Sequence, residues 1–291
     1  MKVFELLKEG TAILKNSGAT DTPRLDSEVL LMHVLGCDKM SLILNDKMSV
    51  SFLDEERFFS LLKRRKESEP ISYITGEREF MSLKFFVAEG ILIPRPDTEV
   101  LAEFVIENAK KIKNAEILDL CTGSGAIAVS VAKYVKDSKV LAVDFSPKCL
   151  HFAEKNAKEN EVADRVRVLK QDVLADFSLS DLGQKENEGF DILVSNPPYI
   201  KSETIKTLDK DVKDFEPITA LDGGADGLVF YRRIAEISPR LLKANGILAF
   251  EIGHDQYDEV YAILAGSGNF KDINSLCDLS GIKRVITAVL K

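Results

Sequence analysis

Over the first 70 positions, apolar residues recur at spacings of three and four, the period of helices that bury one face. Thr22 stands before Pro23 as an N-cap before a proline at the first helical position. Leu25, Val29 and Met32 follow at helical spacing, and Gly36 stops the run. A second start at Ser51 leads into Phe58, Phe59, Leu61 and Leu62. Residues 1–70 are therefore expected to form a small helical domain. After Pro70 the pattern shortens to β-like pieces, Tyr73-Ile74 near Gly76 and then Phe85-Phe86-Val87, so residues 71–90 read as a β-hairpin linker.

Past Pro94 and Pro96, apolar strands alternate with helical stretches across residues 91–291. The strands are Glu116–Leu120, Val140–Asp144, Val166–Lys170, Asp191–Ser195, Ile247–Ile252 and Arg284–Leu290. That alternation predicts an α/β domain with a mostly parallel sheet covered by helices on both faces. The stretch between Phe177 and Phe190 has no apolar period and reads as a solvated loop.

Composition narrows the class. At 291 residues the chain suits one large domain plus a smaller one, and 45% hydrophobic with 30% charged residues is ordinary globular usage. No apolar run approaches the roughly 20 residues of a membrane span, and the N-terminus lacks a signal-peptide pattern, so a soluble, cytoplasmic protein is expected. Cys37, Cys121, Cys149 and Cys277 are widely separated, and with His33, His151 and His254 they form no metal-ligand spacing. A formal charge of −8 counts against nucleic acid as a partner, since phosphate binding draws on Lys and Arg. The densest basic run, Lys63-Arg64-Arg65-Lys66, is flanked by Glu55, Glu56, Glu67 and Glu69 and reads as a solvated helix end.

In Asp119-Leu120-Cys121-Thr122-Gly123-Ser124-Gly125-Ala126-Ile127-Ala128 a buried strand turns through a glycine-rich loop into a helix. Such loops let a nucleotide approach the backbone at the carboxyl end of a sheet. Asp144 ends the next strand, where a carboxylate can accept two ribose hydroxyls. Gly123, Gly125 and Ala128 equally satisfy a dinucleotide fingerprint, so an NAD-binding protein stays open at this point. Two carboxylates favour S-adenosylmethionine instead. Asp119, inside the turn, would repel a pyrophosphate but could meet the methionine amino group, and Asp172 could accept from the adenine amine. Each also has a plain structural reading, as a polar turn residue and as a helix N-cap.

Ser195-Asn196-Pro197-Pro198-Tyr199 follows the fourth strand and opens at the same sheet edge. An amide nitrogen is a poor nucleophile because its lone pair is delocalised, so geometry must aim it. The Asn196 side-chain oxygen and the Pro197 carbonyl can each accept one N–H, the prolines stiffen the loop, and Tyr199 offers an aromatic wall. Asn196, Pro197 and Tyr199 are the catalytic candidates, with Pro198 completing the substrate contact.

The chain resembles the HemK/PrmC family of protein-(glutamine) methyltransferases over nearly its whole length. The resemblance rests on Tyr73-Ile74-Thr75-Gly76, Phe80-Met81, Ile93-Pro94-Arg95-Pro96-Asp97-Thr98-Glu99, the glycine loop, Asn196–Tyr199, Glu216-Pro217, Ala220-Leu221, Asp226-Gly227-Leu228, and Glu251-Ile252-Gly253 with Gln256. It implies a class I, Rossmann-like methyltransferase with a seven-stranded mixed sheet, one strand reversed, behind a helical substrate-recognition domain. It also implies transfer from S-adenosylmethionine, without a metal, to the glutamine of the Gly-Gly-Gln motif in class I peptide chain release factors. By position, residues 121–125, Asp144 and Asn196 would contact the cofactor, and residues 196–199 the glutamine. Val173 stands where some relatives place an aromatic residue against adenine. Arg95, Thr98 and Glu99 would border the active site, Arg95 either as a ligand contact or paired with a carboxylate such as Glu99 or Glu251. A ribosomal-protein glutamine and DNA adenine are the alternative targets.

Overall fold

The computed structural model describes residues 1–185 and 188–291. It divides into two compact units, residues 1–77 with 209–215 and residues 78–208 with 216–291. No helix among the described residues is long and apolar enough to cross a membrane.

The first unit is helical: α1 (Val3–Ser17), α2 (Pro23–Leu35), α3 (Lys39–Leu44), α4 (Phe52–Lys66) and α5 (Ile71–Thr75). Leu6, Leu14, Leu30, Leu31, Phe58 and Leu62 form its core. Gly36, at φ +61°, ends α2, and the Ser51 hydroxyl accepts the Asp54 N–H to open α4. Thr22 does not cap α2 through its side chain. Its hydroxyl donates instead to Asp26 at 3.0 Å. Two expectations are corrected here. Tyr73 and Ile74 lie in the single turn of α5, not in β structure. Arg65 is not part of a solvated helix end: its guanidinium is buried against Asp26 at 2.7 Å, and Arg64 is engaged by Glu69 at 2.8 Å.

The second unit opens with a hairpin, β1 (Glu77–Phe80) and β2 (Leu83–Phe86), turning at Met81-Ser82, both at positive φ. It continues through α6 (Thr98–Ala109), β3 (Glu116–Leu120), α7 (Ala126–Tyr134), β4 (Lys139–Asp144), α8 (Pro147–Glu159), β5 (Val166–Lys170) and β6 (Phe190–Ser195). After α9 (Lys210–Lys213), which groups with the helical unit, come α10 (Ile218–Leu221), α11 (Val229–Leu241), β7 (Leu242–Glu251), α12 (Tyr257–Gly266), β8 (Phe270–Cys277) and β9 (Lys283–Leu290). The seven-stranded sheet runs β5-β4-β3-β6-β7-β9-β8, and β9 is antiparallel to both neighbours. Ile117 packs with α6 and α7 on one face, whereas Leu118 and Leu120 pack with α11 and α12 on the other, as period-two alternation requires.

The Phe177–Phe190 loop is only partly solvated. Phe177, Leu179 and Leu182 are buried against α11 and the sheet, while residues 186 and 187 lie outside the described residues. Asn156, fully buried on α8, fastens the hairpin to the glycine loop. Its amide oxygen accepts the Phe86 N–H at 2.7 Å, and its nitrogen donates to the carbonyls of Phe86 at 3.0 Å and Ser124 at 2.9 Å. Asn156→Ala strands those groups away from water, so it is expected to lower unfolding free energy by about 3 kcal/mol in denaturant titrations.

Candidate active site

A cavity of about 450 Å³ opens at the carboxyl ends of β3, β4, β5 and β6, a volume that a small-molecule ligand fills. Two loops meet there because β3 and β6 end level with each other: Leu120 pairs with Ser195, and the Ser195 hydroxyl donates to the Leu120 carbonyl at 2.7 Å.

After Leu120, Cys121 takes φ +61°, followed by Gly123 at +56° and Gly125 at +80°. A Cβ on Gly125 would lie 3.0 Å from Ala153 of α8, so only glycine lets α7 start here. Cys121, Thr122, Gly123 and Ser124 line the cavity; Gly125 lies behind them. Asp144 also lines it, with one oxygen accepting the Gly123 N–H and the other the Ser146 N–H, each at 2.9 Å, and burial raises its proton affinity. Asp172 and Val173 reach the wall from the end of β5. No helix follows Asp172, and its carboxylate accepts the Leu174 N–H at 2.9 Å in a tight turn.

Asp119 sits beneath the loop instead of on the wall. It is 1% exposed, one oxygen takes the Thr122 hydroxyl at 2.6 Å, and the other has no hydrogen-bond partner among the described residues. Burial pushes this carboxyl up to about 7. An orphaned, buried carboxylate oxygen next to an open glycine turn suits the ammonium of a methionine moiety. The carboxylate and backbone groups around the cavity, with Asp144 and Val173 on its wall, thus fit S-adenosylmethionine.

At the other end of the cavity, Asn196 and Pro198 face the opening, whereas Pro197 and Tyr199 stand behind them. The Asn196 amide nitrogen donates to the Thr98 hydroxyl at 3.2 Å. Its oxygen and the Pro197 carbonyl accept no hydrogen bond among the described residues, and of the two residues Asn196 lines the cavity. Tyr199 packs into the core beside α11 and donates to Glu251 at 3.2 Å; burial raises its phenol's proton affinity. Its carbonyl is held by the Gln256 side chain at 2.9 Å. A Cβ on Gly227 would come 2.4 Å from that carbonyl, so the loop beside Tyr199 needs glycine there.

The Arg95–Glu99 segment serves three partners. Arg95 lines the cavity and pairs with Glu216, so neither Glu99 nor Glu251 is its partner. Glu216 is buried and its second oxygen accepts the Ile93 N–H at 3.2 Å. Thr98 holds Asn196. Glu99 faces away from the cavity and accepts the Met81 N–H at 2.7 Å, closing the hairpin turn. Sequence reasoning missed Asn156 and gave Glu216 no role. Asn156 had left a signal, as a lone polar residue on the stripe of Cys149, Ala153 and Ala157 that α8 buries. It also missed Phe145 and Cys149, which line the cavity; burial pushes the Cys149 thiol up to about 11. Among the described residues no three His, Cys, Asp or Glu side chains cluster as metal ligands would.

Known proteins match this architecture. Residues 5–76 match the PrmC N-terminal domain and residues 96–212 the methyltransferase small domain. The hMettl16 catalytic domain in complex with an RNA hairpin is similar in fold, with a TM-score of 0.57 at 17% identity over 84% of each chain. The release factor glutamine methyltransferase of Clostridium acetobutylicum is 42% identical over 289 residues, 99% of both chains. That of Clostridium botulinum is 39% identical over 288 residues, again 99% of both. With such identity across its full length, the chain belongs to the release factor glutamine methyltransferase family.

Proposed function

We propose that this protein transfers a methyl group from S-adenosylmethionine to the side-chain amide nitrogen of the glutamine in the Gly-Gly-Gln motif of class I peptide chain release factors, acting in the cytoplasm. The observation that carries the reading is the arrangement of Asn196: its nitrogen is engaged by Thr98, so its oxygen is the group turned to a substrate N–H. When bound, S-adenosylmethionine supplies an electrophilic methyl carbon on a sulfonium. Asp144 would hold its ribose, Cys121 to Ser124 its methionine arm, Asp119 its ammonium, and Asp172 with Val173 its adenine. The Asn196 oxygen and the Pro197 carbonyl would accept the two amide protons, fixing the nitrogen in one plane with its face toward the methyl carbon. Neither group is a strong base, so their contribution is orientation: the carbon–nitrogen bond that forms would replace the carbon–sulfur bond that breaks, S-adenosylhomocysteine would be the leaving group, and the surplus amide proton would pass to water.

The direct test is mass spectrometry of the Gly-Gly-Gln peptide after incubating a release factor with enzyme and S-adenosylmethionine. One added methyl on the glutamine is expected. An unmodified release factor beside a modified ribosomal protein would reassign the substrate, and methylated duplex DNA would reassign the chemistry.

Asn196→Ala removes an acceptor that matters most at the moment of transfer. We expect turnover to fall by about one to two decades, while S-adenosylhomocysteine affinity measured by calorimetry changes by less than about threefold. A second expectation concerns pH. The Asp119 carboxyl titrates near 7 and attracts an ammonium only when ionised. S-adenosylhomocysteine binding should therefore weaken as pH falls from 7 to 5.5, approaching about tenfold per pH unit at the acid end. Asp119→Asn should flatten that dependence; an unchanged slope would remove Asp119 from the cofactor site.

A further inference from the structure

Every glutamine ends in the same planar amide, so choosing one protein among many requires contacts beyond the Asn196 loop. The sheet order says where those contacts lie. The cavity assigned to the cofactor opens over the ends of β3, β4, β5 and β6, with Asn196 at its far end. A methyl acceptor attacks from the side opposite the leaving sulfur, so the substrate protein rests on the other side of Asn196, toward β7, β9 and β8. β9 is antiparallel to β7 and pairs Val285 with Glu251, which puts the turn between β8 and β9, residues 278–282, at the same end of the sheet as Asn196. Neighbouring strands are about 4.8 Å apart, so a turn at β9, two strands from β6, stands roughly 10–15 Å from the Asn196 loop. A standard protein interface covers about 800 Å² of each partner, a disc of roughly 16 Å radius. A protein centred on Asn196 therefore reaches this turn.

The turn presents apolar surface where none is needed for folding. Among the exposed large apolar side chains of the second unit, Phe145, Leu174, Ile218 and Val229 line the cofactor cavity. Tyr134 is tied to the Met81 carbonyl at 2.6 Å, and Tyr261 lies against Tyr257 with ring centroids 6.0 Å apart. Leu279, which is fully exposed, and Ile282 remain, and both belong to this turn. Polar residues and glycine suffice to make a turn, so a leucine at its tip owes nothing to the backbone. The turn is also stiff. The Asp278 carboxylate accepts the N–H groups of Ser280 at 2.8 Å and Ile282 at 3.0 Å and the Arg284 side chain at 2.9 Å. Arg284 goes on to Asp97 at 3.0 Å, the residue before the Thr98 that holds Asn196, and the Lys283 ammonium sits 3.3 Å from the centre of the Tyr257 ring. An anchor held in place before contact loses little conformational freedom on binding.

We propose that the turn at residues 278–282 is a docking element for the substrate protein, in which Leu279, flanked by Ile282, seats an apolar patch of the release factor beside its Gly-Gly-Gln loop. The Asn196 loop reads the amide, and the turn reads the protein that carries it. Through Arg284 and Asp97 the docking surface is joined to the segment that holds Asn196, so the two are presented in one fixed relation. The inference rests on the glutamine-methylation reading and deepens it by naming a surface that selects the substrate.

Two variants test this, Leu279→Asn, which removes apolar surface without adding charge, and Leu279→Met, which keeps it. For each, kcat and KM for release-factor methylation, the dissociation constant of the release factor from the enzyme loaded with S-adenosylhomocysteine, and the dissociation constant of S-adenosylhomocysteine itself are measured beside wild type. Leu279 is fully exposed, so neither change disturbs the core. Leu279→Asn is expected to raise KM and the release-factor dissociation constant by about tenfold, with kcat and S-adenosylhomocysteine affinity within about twofold of wild type. Leu279→Met should stay within about twofold in every measurement. Unchanged KM and release-factor binding in Leu279→Asn, a Leu279→Met enzyme as weak as Leu279→Asn, or a fall in kcat at unchanged KM would each overturn the proposal. So would light scattering that shows a wild-type dimer split by Leu279→Asn, since a second copy of the chain would then occupy the turn. A wild-type enzyme that leaves the release factor unmethylated overturns the functional reading itself, whereas an active wild type whose Leu279→Asn variant binds the release factor equally well overturns this inference alone.

Discussion

The hydrogen bond from the Ser195 hydroxyl to the Leu120 carbonyl joins the two strands on which the site is built. β3 and β6 are parallel neighbours in the middle of the sheet, and their register places Leu120 opposite Ser195. The glycine turn begins one residue after the first, and Asn196 follows the second. A slip by one residue would exchange the faces of one strand and carry its loop to another depth. Burial on both faces prevents that slip, because Leu118, Leu120, Leu193 and Val194 are packed from above or below. The distance between methyl donor and acceptor loop is thereby set by the core.

That core was readable from the chain because it is local. β3, β4, β5 and β6 are short apolar runs followed by turn residues, the pattern of strands buried on both faces, and the two site loops follow directly in sequence. β8 was not visible, since Phe270–Cys277 is a polar edge strand with two register shifts and pairs on one side only. Tyr73-Ile74 was misread because a five-residue helix is too short to display a period. Arg65 looked solvated because its partner, Asp26, is on another helix far away in sequence. The same limit applies at the site. Asn196 and Asp144 announce themselves beside their loops, but the groups that hold them, Thr98 for one and the Gly123 amide for the other, come from different segments, and no spacing rule joins Arg95 to Glu216.

Electrostatically, the site gathers buried carboxylates. Asp119, Asp144 and Glu251 are each at most 6% exposed, and burial raises the proton affinity of all three. An unpaired buried charge is unfavourable by several kcal/mol, so such a cluster is tolerated where hydrogen bonds or a positive partner compensate it. Backbone amides serve both oxygens of Asp144, whereas Asp119 and Glu251 each take one hydroxyl and keep one oxygen without a partner among the described residues. A ligand bearing both an ammonium and a sulfonium meets this field with opposite charge, whereas a pyrophosphate would add to the repulsion. The preference for one nucleotide class over another is written in carboxylate placement, since the glycine turn serves both.

The start of α6 has a consequence of its own. Arg95, Thr98 and Glu99 stand at the spacing of one helical turn, yet each is committed to a different neighbour: Glu216, Asn196 and the hairpin turn at Met81. Each residue of a helix is rotated by about 100° from the one before it. Thr98 and Glu99 belong to α6 and Arg95 precedes it, so inserting or deleting a single residue between Arg95 and Thr98 would put the pairing of Arg95 and those of the helix residues out of step, where a substitution would release only one. The length of the segment thus acts as a gauge that the loops on either side must match.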